Sequence, residues 1–202
     1  MSLTATLDRR FALSERGTSI RTEVLAGTWE ALVSGQADLA LGVPLEMSAP
    51  GIEVKPLGDM DFVFAMAPHH PLAALPDPIS TATLATHRIV TVADTARDLQ
   101  PVTVGVLPGQ DVLTMPSLAA KLEAQLRGLG CGFLPEPLVR RHVEAGRLVR
   151  KNTDQPRRVA PIHYAWRQTG AQPGRALGWW LQQLESPATR QALLQQHEGL
   201  IL

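Results

Sequence analysis

The chain alternates between strand-like and helix-like segments, and this alternation restricts its fold more than any other feature. Apolar residues recur at every second position in some segments and at helical spacing in others, which predicts βα units around a mostly parallel sheet. The run Gly27–Gly42 (GTWEALVSGQADLALG) shows the pattern. Trp29, Leu32 and Val33 mark one face of a helix, and Gly35 is placed to end it. The sequence therefore predicts an α/β fold.

The predicted elements cover most of the chain. Strands are expected at Ser19–Leu25, Ala37–Val43, Gly51–Leu57, Asp61–Ala67, Arg88–Val92, Val102–Leu107, Cys131–Leu134 and Ile162–Arg167. Helices are expected after the first strand, near Thr81–Ala85, over Ser117–Arg127, from Pro135 to Gly146, and from about Arg175 to Pro187. A break at residues 68–72 and a late return strand fit two small α/β lobes joined by two crossing strands.

Composition and charge limit the classes of function that this chain can have. Of the 202 residues, 45% are hydrophobic and 19% are charged, as is ordinary for a globular domain. Lys plus Arg and Asp plus Glu number 19 each, whereas a domain that neutralises several phosphates by itself is normally basic. The sequence shows no signal peptide, and no apolar run approaches the roughly 18 residues that span a bilayer. We therefore expect a cytoplasmic protein that binds neither DNA nor a membrane by itself.

The sequence carries no motif of a catalytic or metal centre. The patterns GxSxG, HExxH and GxxxxGK[ST] are not found. His69 and His70 lie between prolines with no third ligand at a metal-like spacing, and Cys131 is expected to be a small buried hydrophobic residue. The three glycines of Gly128–Gly132 lie between a helix and a strand, the reverse of the order in a dinucleotide fingerprint. We therefore expect no catalytic residue, no metal and no cofactor.

Basic residues cluster late in the sequence. They are Arg140, Arg141, Arg147, Arg150, Lys151, Arg157 and Arg158. The acidic residues Glu136, Glu144 and Asp154 are interspersed among them, and no aromatic residues alternate with the arginines. This pattern favours a solvated helix face or a subunit contact over a nucleic-acid groove.

Two turns that join a strand to a helix carry the features of an anion site. Thr28 is a candidate N-cap with Glu30 in the first helical turn, and a similar turn at Thr114–Ser117 precedes the helix that begins near Leu118. Free N–H groups and hydroxyls at two such turns, facing each other across a cleft, would bind a carboxylate or another polar anion. The alternative is that Thr28 and Ser117 only cap their helices.

Several segments resemble the effector-binding domain of LysR-type transcriptional regulators. They are GTWEALVSGQADLALG (27–42), FVFAMAPHHPLA (62–73), GLGCGFLPEPLVRRHVEAGRLV (128–149), AWR (165–167) and the Trp-rich last helix. The resemblance implies two Rossmann-like lobes, as in type II periplasmic binding proteins, with an effector in the interlobe cleft. Crossing strands near Phe62–Ala67 and Ile162–Arg167 would give lobe I at residues 1–67 and 165–202, and lobe II at residues 68–164.

The resemblance also implies ligand-binding residues and partners. Ligand contacts are expected from Gly27, Thr28, Gly42, Val43, Asp94, Thr114, Met115, Pro116, Ser117 and Phe133. A homodimer or tetramer is expected, and DNA would be bound only through an N-terminal winged helix-turn-helix that this sequence does not contain. Thr4–Asp8 resembles the first strand of the family, and about fifteen residues of the helix and loop that usually follow are lacking.

Three classes of function follow from these observations. The first is a regulator domain whose small-molecule effector the sequence does not identify. The second is a solute-binding protein of a transporter, which shares the fold but requires export. The third, an enzyme on the same scaffold, has the least support in the sequence.

Overall fold

The computed structural model describes residues 19–43, 48–168, 170 and 173–195. Its helices are α1 (Ala26–Val33), α2 (Thr81–Ala85), α3 (Leu118–Leu126), α4 (Glu136–Glu144), α5 (Arg175–Glu185) and α6 (Pro187–Gln195). Its strands are β1 (Leu39–Val43), β2 (Ile52–Met66), β3 (Ile89–Val92), β4 (Val112–Met115), β5 (Gly132–Pro135), β6 (Val149–Lys151) and β7 (Arg158–Arg167). The predicted α/β class is therefore confirmed.

The chain divides into two compact units. Unit 1 contains the described residues of Met1–Asp59, together with Asp94–Val102 and Pro161–Leu194. Unit 2 contains Met60–Ala93, Thr103–Ala160 and the described part of Gln195–Leu202. Strands β2 and β7 each begin in one unit and end in the other.

In unit 1, strand β1 pairs antiparallel with β7, so that Leu39 lies opposite Trp166 and Ala40 opposite Ala165. Alternate residues of this pair point to opposite faces. One face packs in a cluster of Leu39, Leu41, Leu57, Tyr164, Leu177 and Leu184. The other packs in a cluster of Trp29, Ala31, Leu32, Ala37, Ala40, Val43 and Ala165. Because helices α5 and α1 thus cover both faces, β1 is apolar at nearly every position.

In unit 2, β3 pairs parallel with β4, whereas β2 pairs antiparallel with β5 and β6. One core cluster contains Phe64, Met66, Leu72, Ile79, Leu84, Ile89 and Cys131. A second contains Ala65, Leu122, Leu134, Leu138, Val139 and Leu148. The prediction of a mostly parallel sheet is wrong for the described strands, because β7 pairs antiparallel with β1, and β2 pairs antiparallel with β5 and β6.

Local sequence features predicted several helix ends correctly. Gly35 and Gly128 follow helices α1 and α3 with φ angles of +75° and +74°, a backbone conformation that glycine adopts most easily. Ser117 caps α3, since its hydroxyl accepts a hydrogen bond of 3.1 Å from the backbone N–H of Ala120. Cys131 is fully buried, as predicted.

Two predicted strands are wrong. Residues 19–24 form no strand in the structure, and the backbone of Val24 bonds to the loop at Thr95 instead: its N–H donates to Thr95 Oγ1 (2.9 Å), and its carbonyl accepts from Thr95 N (3.3 Å). Val102–Leu107 is irregular, and the strand that follows is β4 instead.

Three further predictions about elements need correction. The separate strands expected at Gly51–Leu57 and Asp61–Ala67 are one strand, β2, of 15 residues. Val33 lies outside the buried face of α1, with 47% of its surface exposed. Helix α5 ends before Pro187, but this proline also begins α6, because a proline is well tolerated in the first helical turn. Thr4–Asp8 lies outside the described residues.

Candidate functional site

A carboxylate of the chain itself covers the N-terminus of helix α1. Asp94 accepts hydrogen bonds from the backbone N–H groups of Ala26 (3.1 Å), Gly27 (3.1 Å), Ala96 (2.9 Å) and Val102 (2.8 Å). Burial raises the pKa of Asp94, but the N–H donors outweigh burial and hold this pKa below its usual value. Asp94 therefore occupies the N–H groups of Ala26 and Gly27, so the Gly27 N–H is not free for a ligand, contrary to the prediction of free N–H groups at this turn.

The prediction that Thr28 is the N-cap of α1 is wrong. The helix begins at Ala26 with Leu25 in the capping position, and Thr28 is a fully buried residue inside the first turn. Glu30 lies beyond that turn, and it accepts hydrogen bonds from the N–H groups of Arg97 (2.8 Å), Asp98 (2.9 Å) and Leu99 (3.0 Å). The Asp98 and Leu99 bonds are the main causes that lower the pKa of Glu30.

Asp94 and Glu30 together bind residues 94–102 to helix α1. Gly27 is needed for this close approach, because a Cβ atom at this position would lie 2.0 Å from Thr95 Oγ1 and 2.8 Å from the Thr95 carbonyl carbon. The structure thus brings Gly27 and Asp94 together through a hydrogen bond, and Thr28 follows Gly27 in the same helical turn.

The two remaining ligand candidates of unit 1 lie at the end of strand β1. Gly42 is half-buried and has a φ angle of +85°, at a point where the register of β1 against β7 shifts. Val43 is 1% exposed and belongs to the core. Of this pair, Gly42 alone has appreciable accessible surface.

The ligand candidates of unit 2 are more accessible. Thr114 and Met115 end strand β4, Pro116 follows, and Ser117 begins α3. Thr114 and Pro116 are exposed, while Met115 and Ser117 are half-buried. The Thr114 hydroxyl lies 3.3 Å from that of Thr91 on the neighbouring strand β3. These hydroxyls and the turn lie at the carboxyl ends of β3 and β4, where α/β proteins commonly bind ligands.

Unit 2 also contains a cavity of about 590 Å³ with aromatic and cationic walls. Its aromatic residues are Phe62, Phe64 and Phe133, and its cationic residues are Arg140, Arg150, Lys151, Arg157 and Arg158. The rings of Phe64 and Phe133 meet edge to face with centroids 5.2 Å apart. The Arg158 guanidinium lies 4.0 Å from the centroid of the Phe133 ring, which is cation–π geometry.

Most of these cations are paired with carboxylates. Arg140 pairs with Glu136 at 2.6 Å, Arg157 with Asp61 at 2.7 Å, and Lys151 with Asp77 at 3.1 Å. Arg158 differs from them, because it donates to the neutral amide oxygen of Gln155 at 3.1 Å. Burial lowers the pKa of the Arg158 guanidinium.

Helix α3 of unit 2 carries a buried lysine. Lys121 of α3 is only 6% exposed, and a Cβ atom on Gly132 would lie 3.5 Å from its Nζ. Burial, and then the positive charge of Arg158, lower the pKa of Lys121 to about 8. Lys121 is not among the residues predicted from the sequence. The signal was its position between Leu118 and Leu122, on the side of α3 that faces the core.

The described residues contain neither a candidate metal centre nor a candidate membrane-spanning helix. Within residues 19–43, 48–168, 170 and 173–195, no group of three or more His, Cys, Asp or Glu side chains is arranged to hold a metal ion. None of the helices in this part of the chain has the length and hydropathy needed to cross a membrane.

Comparison with known families identifies the domain. The model of the family described as LysR substrate binding domain matches residues 6–187. The chain belongs to the LysR substrate-binding domain family. The resemblance inferred from the sequence is therefore confirmed over most of the chain.

Curated relatives of this LysR domain are transcriptional regulators. The HTH-type transcriptional regulator YeeY of Escherichia coli K12 is 37% identical over 158 residues, which are 78% of this chain and 50% of YeeY. The probable HTH-type transcriptional regulator YhaJ of the same strain is 34% identical over 179 residues, which are 88% of this chain and 59% of YhaJ. The chain thus spans about half the length of the curated relatives it matches.

Solved LysR structures share the fold. Full-length LysG of Corynebacterium glutamicum, solved with its effector arginine bound, superposes with a TM-score of 0.60 at 22% identity. The alignment covers 81% of this chain and 54% of LysG. The fold is that of LysR regulatory domains, which is the type II periplasmic-binding-protein-like fold expected from the sequence.

Proposed function

We propose that this chain is the effector-sensing domain of a LysR-type transcription regulator, and that it binds a small molecule without transforming it. The match of residues 6–187 to the LysR substrate-binding family carries this proposal. It is supported by relatives that are HTH-type transcriptional regulators and by LysG, whose structure holds an effector. Because the relatives are regulators, the solute-binding protein of a transporter is not favoured.

The proposal extends to the partners of the whole regulator. DNA would be bound by the part of the full-length protein that this chain does not cover, and the regulator would act in the cytoplasm as a homodimer or tetramer. The two lobes expected at residues 1–67 with 165–202 and at residues 68–164 belong to the same proposal. An effector would shift the equilibrium between two conformations of the regulator by the difference in its affinity for them.

We propose that the accessible residues among the predicted site residues contact the ligand. Thr114, Met115, Pro116 and Ser117 offer a hydroxyl-bearing turn in unit 2, and Phe133 offers an aromatic face. In unit 1, Gly42 and Asp94 are half-buried. Gly27, Thr28 and Val43 are buried, so we propose that they support the site through the fold.

The test uses an intact regulator that carries this domain. A thermal-shift screen of metabolites should find at least one that raises the melting temperature, and this metabolite should change the affinity of the regulator for its operator. Thr114→Ala should weaken metabolite binding, whereas Thr103→Ala, at another exposed threonine of unit 2, should not. Unchanged operator binding with every stabilising metabolite would refute the sensing role.

A further inference from the structure

A buried histidine of unit 2 lies beside a second histidine. His70 follows strand β2 and is only 8% exposed, and the centroid of its ring lies 5.6 Å from the centroid of the His87 ring. The neighbouring His69 is exposed, and its ring lies against Gly128 at the end of α3. Histidine is the side chain whose charge changes near neutral pH, so a buried histidine with such neighbours makes the local structure sensitive to pH.

His70 caps a short 3₁₀ helix, Pro71–Ala74. Its Nδ1 accepts a hydrogen bond of 3.2 Å from the backbone N–H of Leu72, so the proton of the neutral ring lies on Nε2. The Leu72 side chain is fully buried, in the core cluster that also contains Leu84 and Ile89. The cap on His70 therefore holds a core residue of unit 2 in place.

Protonation of His70 is incompatible with this cap. A proton on Nδ1 would point at the Leu72 N–H, so that two donors would meet where a donor and an acceptor now lie 3.2 Å apart. The ring of His87 is fixed beside it, because its Nδ1 donates to the carbonyl oxygen of Thr83 at 3.0 Å. A charged His70 would therefore have to leave its position, or the 3₁₀ helix would have to move.

Among the described residues, the surroundings of His70 supply no compensating negative charge. Burial, and then His87 and His69, lower the pKa of His70. Residues 62–66 at the end of β2, the 3₁₀ helix, α2 and β3 contain no titratable residue. The 3₁₀ helix also contacts β6, where Arg150 is exposed. The charged side chains at the end of α3, beside β3, on β6 and beside α2 have partners of their own: Arg127 with Glu123, Arg88 with Asp111, Lys151 with Asp77, and Asp154 with Thr81.

We propose that His70 is a pH switch, whose protonation breaks the hydrogen bond to Leu72 and releases the 3₁₀ helix from the core of unit 2. In the open conformation His70 has its ordinary pKa of 6.5, whereas the closed conformation holds this pKa lower. The open conformation therefore gains stability relative to the closed one as the pH falls below 6.5, and the gain ends at the pKa of the closed conformation. This response to acid is separate from the proposed sensing of an effector.

Hydrogen exchange on the 202-residue chain measures the opening directly. Below pH 6.5, the protection factor of the Leu72 amide should fall by up to about tenfold for each pH unit. At about pH 5.5 and low urea concentration, exchange of the Leu72 amide should not depend on urea, because only a small segment opens. Exchange of the Val90 amide, which donates to the Cys131 carbonyl at 2.8 Å in the core, should become faster with urea.

Three variants separate His70 from the other titrating groups. His70→Asn keeps a cap that does not titrate, because asparagine is a preferred N-cap residue, so its Leu72 protection factor should not change with pH. His87→Gln removes a neighbouring charge, so it should raise the pKa of the His70 ring in an NMR titration and reduce the total loss of protection. His142→Gln is the matched control, at another buried histidine of unit 2 whose pKa is lowered by burial, and it should behave like the wild type.

A Leu72 protection factor that stays constant in the wild type between about pH 7 and about pH 5 would overturn the proposal, because linkage requires it to fall. Exchange of Leu72 that depends on urea as strongly as that of Val90 would also overturn it, as would an equal loss of protection in His70→Asn. If His70→Asn does not fold, the wild-type titration decides. A His70 ring with a pKa of 6.5 or above would then overturn the switch, and a lower pKa together with the loss of Leu72 protection would support it.

Discussion

Replacement of Asp94 by asparagine tests whether this carboxylate fixes the loop at residues 94–102 to helix α1. Oδ1 accepts from Gly27 and Ala96, and Oδ2 accepts from Ala26 and Val102. Asparagine keeps one oxygen, so it keeps at most two of the four hydrogen bonds. A hydrogen bond to a charged group contributes about 1.5–3 kcal/mol, and a negative charge at a helix N-terminus about 0.3–1 kcal/mol.

At least one of the bonds lost in Asp94→Asn is part-buried, whichever oxygen remains. The exposed Val102 N–H can bond to water instead and contributes little. We therefore expect the variant to lose about 2–3 kcal/mol of unfolding free energy near neutral pH. Urea denaturation measures this loss, and hydrogen exchange at the Ala26 and Gly27 amides should become faster.

The effect should also depend on pH. Because the folded-state pKa of Asp94 is below its ordinary value of 3.8, its stabilisation is fully present above that value and is lost as the pH falls through the folded-state pKa. The difference between wild type and Asp94→Asn should therefore shrink in acid. Asp98→Asn, at an exposed position of the same loop, is the matched control. If the two variants differ by less than about 0.5 kcal/mol at neutral pH, the account of Asp94 is wrong.

Three other predictions follow from buried or crowded positions. Gly27→Ala should lower the free energy of unfolding by about 1–3 kcal/mol, because its Cβ would collide with Thr95. Gly178→Ala in α5 meets nothing closer than 3.8 Å and should raise the free energy of unfolding by about 0.5–1 kcal/mol. Urea denaturation measures both changes. Lys121→Met should be more stable than wild type near neutral pH by up to about 3 kcal/mol. That difference should disappear as the pH rises from about 8 to 10.5, because Lys121 loses its proton at a lower pH in the folded state than in the unfolded state. A stability difference that stays constant over this pH range would contradict the burial of a charged Lys121. Cys131 should react with a thiol reagent only as the protein unfolds, since its thiol is fully buried with a pKa of about 12; rapid labelling of the folded protein would contradict this.

Local sequence signals predicted the elements whose ends depend on neighbouring residues. The glycines that end α1 and α3 and the serine that caps α3 act within one helical turn, so their effect can be read from the sequence. The same signals failed at Ser19–Leu25 and at Val102–Leu107, where an apolar pattern without a pairing partner does not make a strand. They also divided β2 in two, although its pairing continues it as one strand.

The sequence by itself determined the α/β class and the LysR family of this domain, because both depend on patterns that recur along the chain in a fixed order. Only the tertiary structure decided that Asp94 covers the N-terminus of α1, since the two are 67 residues apart in sequence. Only it decided that Lys121 is buried against Gly132, which belongs to a different element, without a carboxylate partner among the described residues. The physical reason is that capping by a distant side chain and compensation of a buried charge depend on which elements pack together, and the local spacing of residues does not encode that packing.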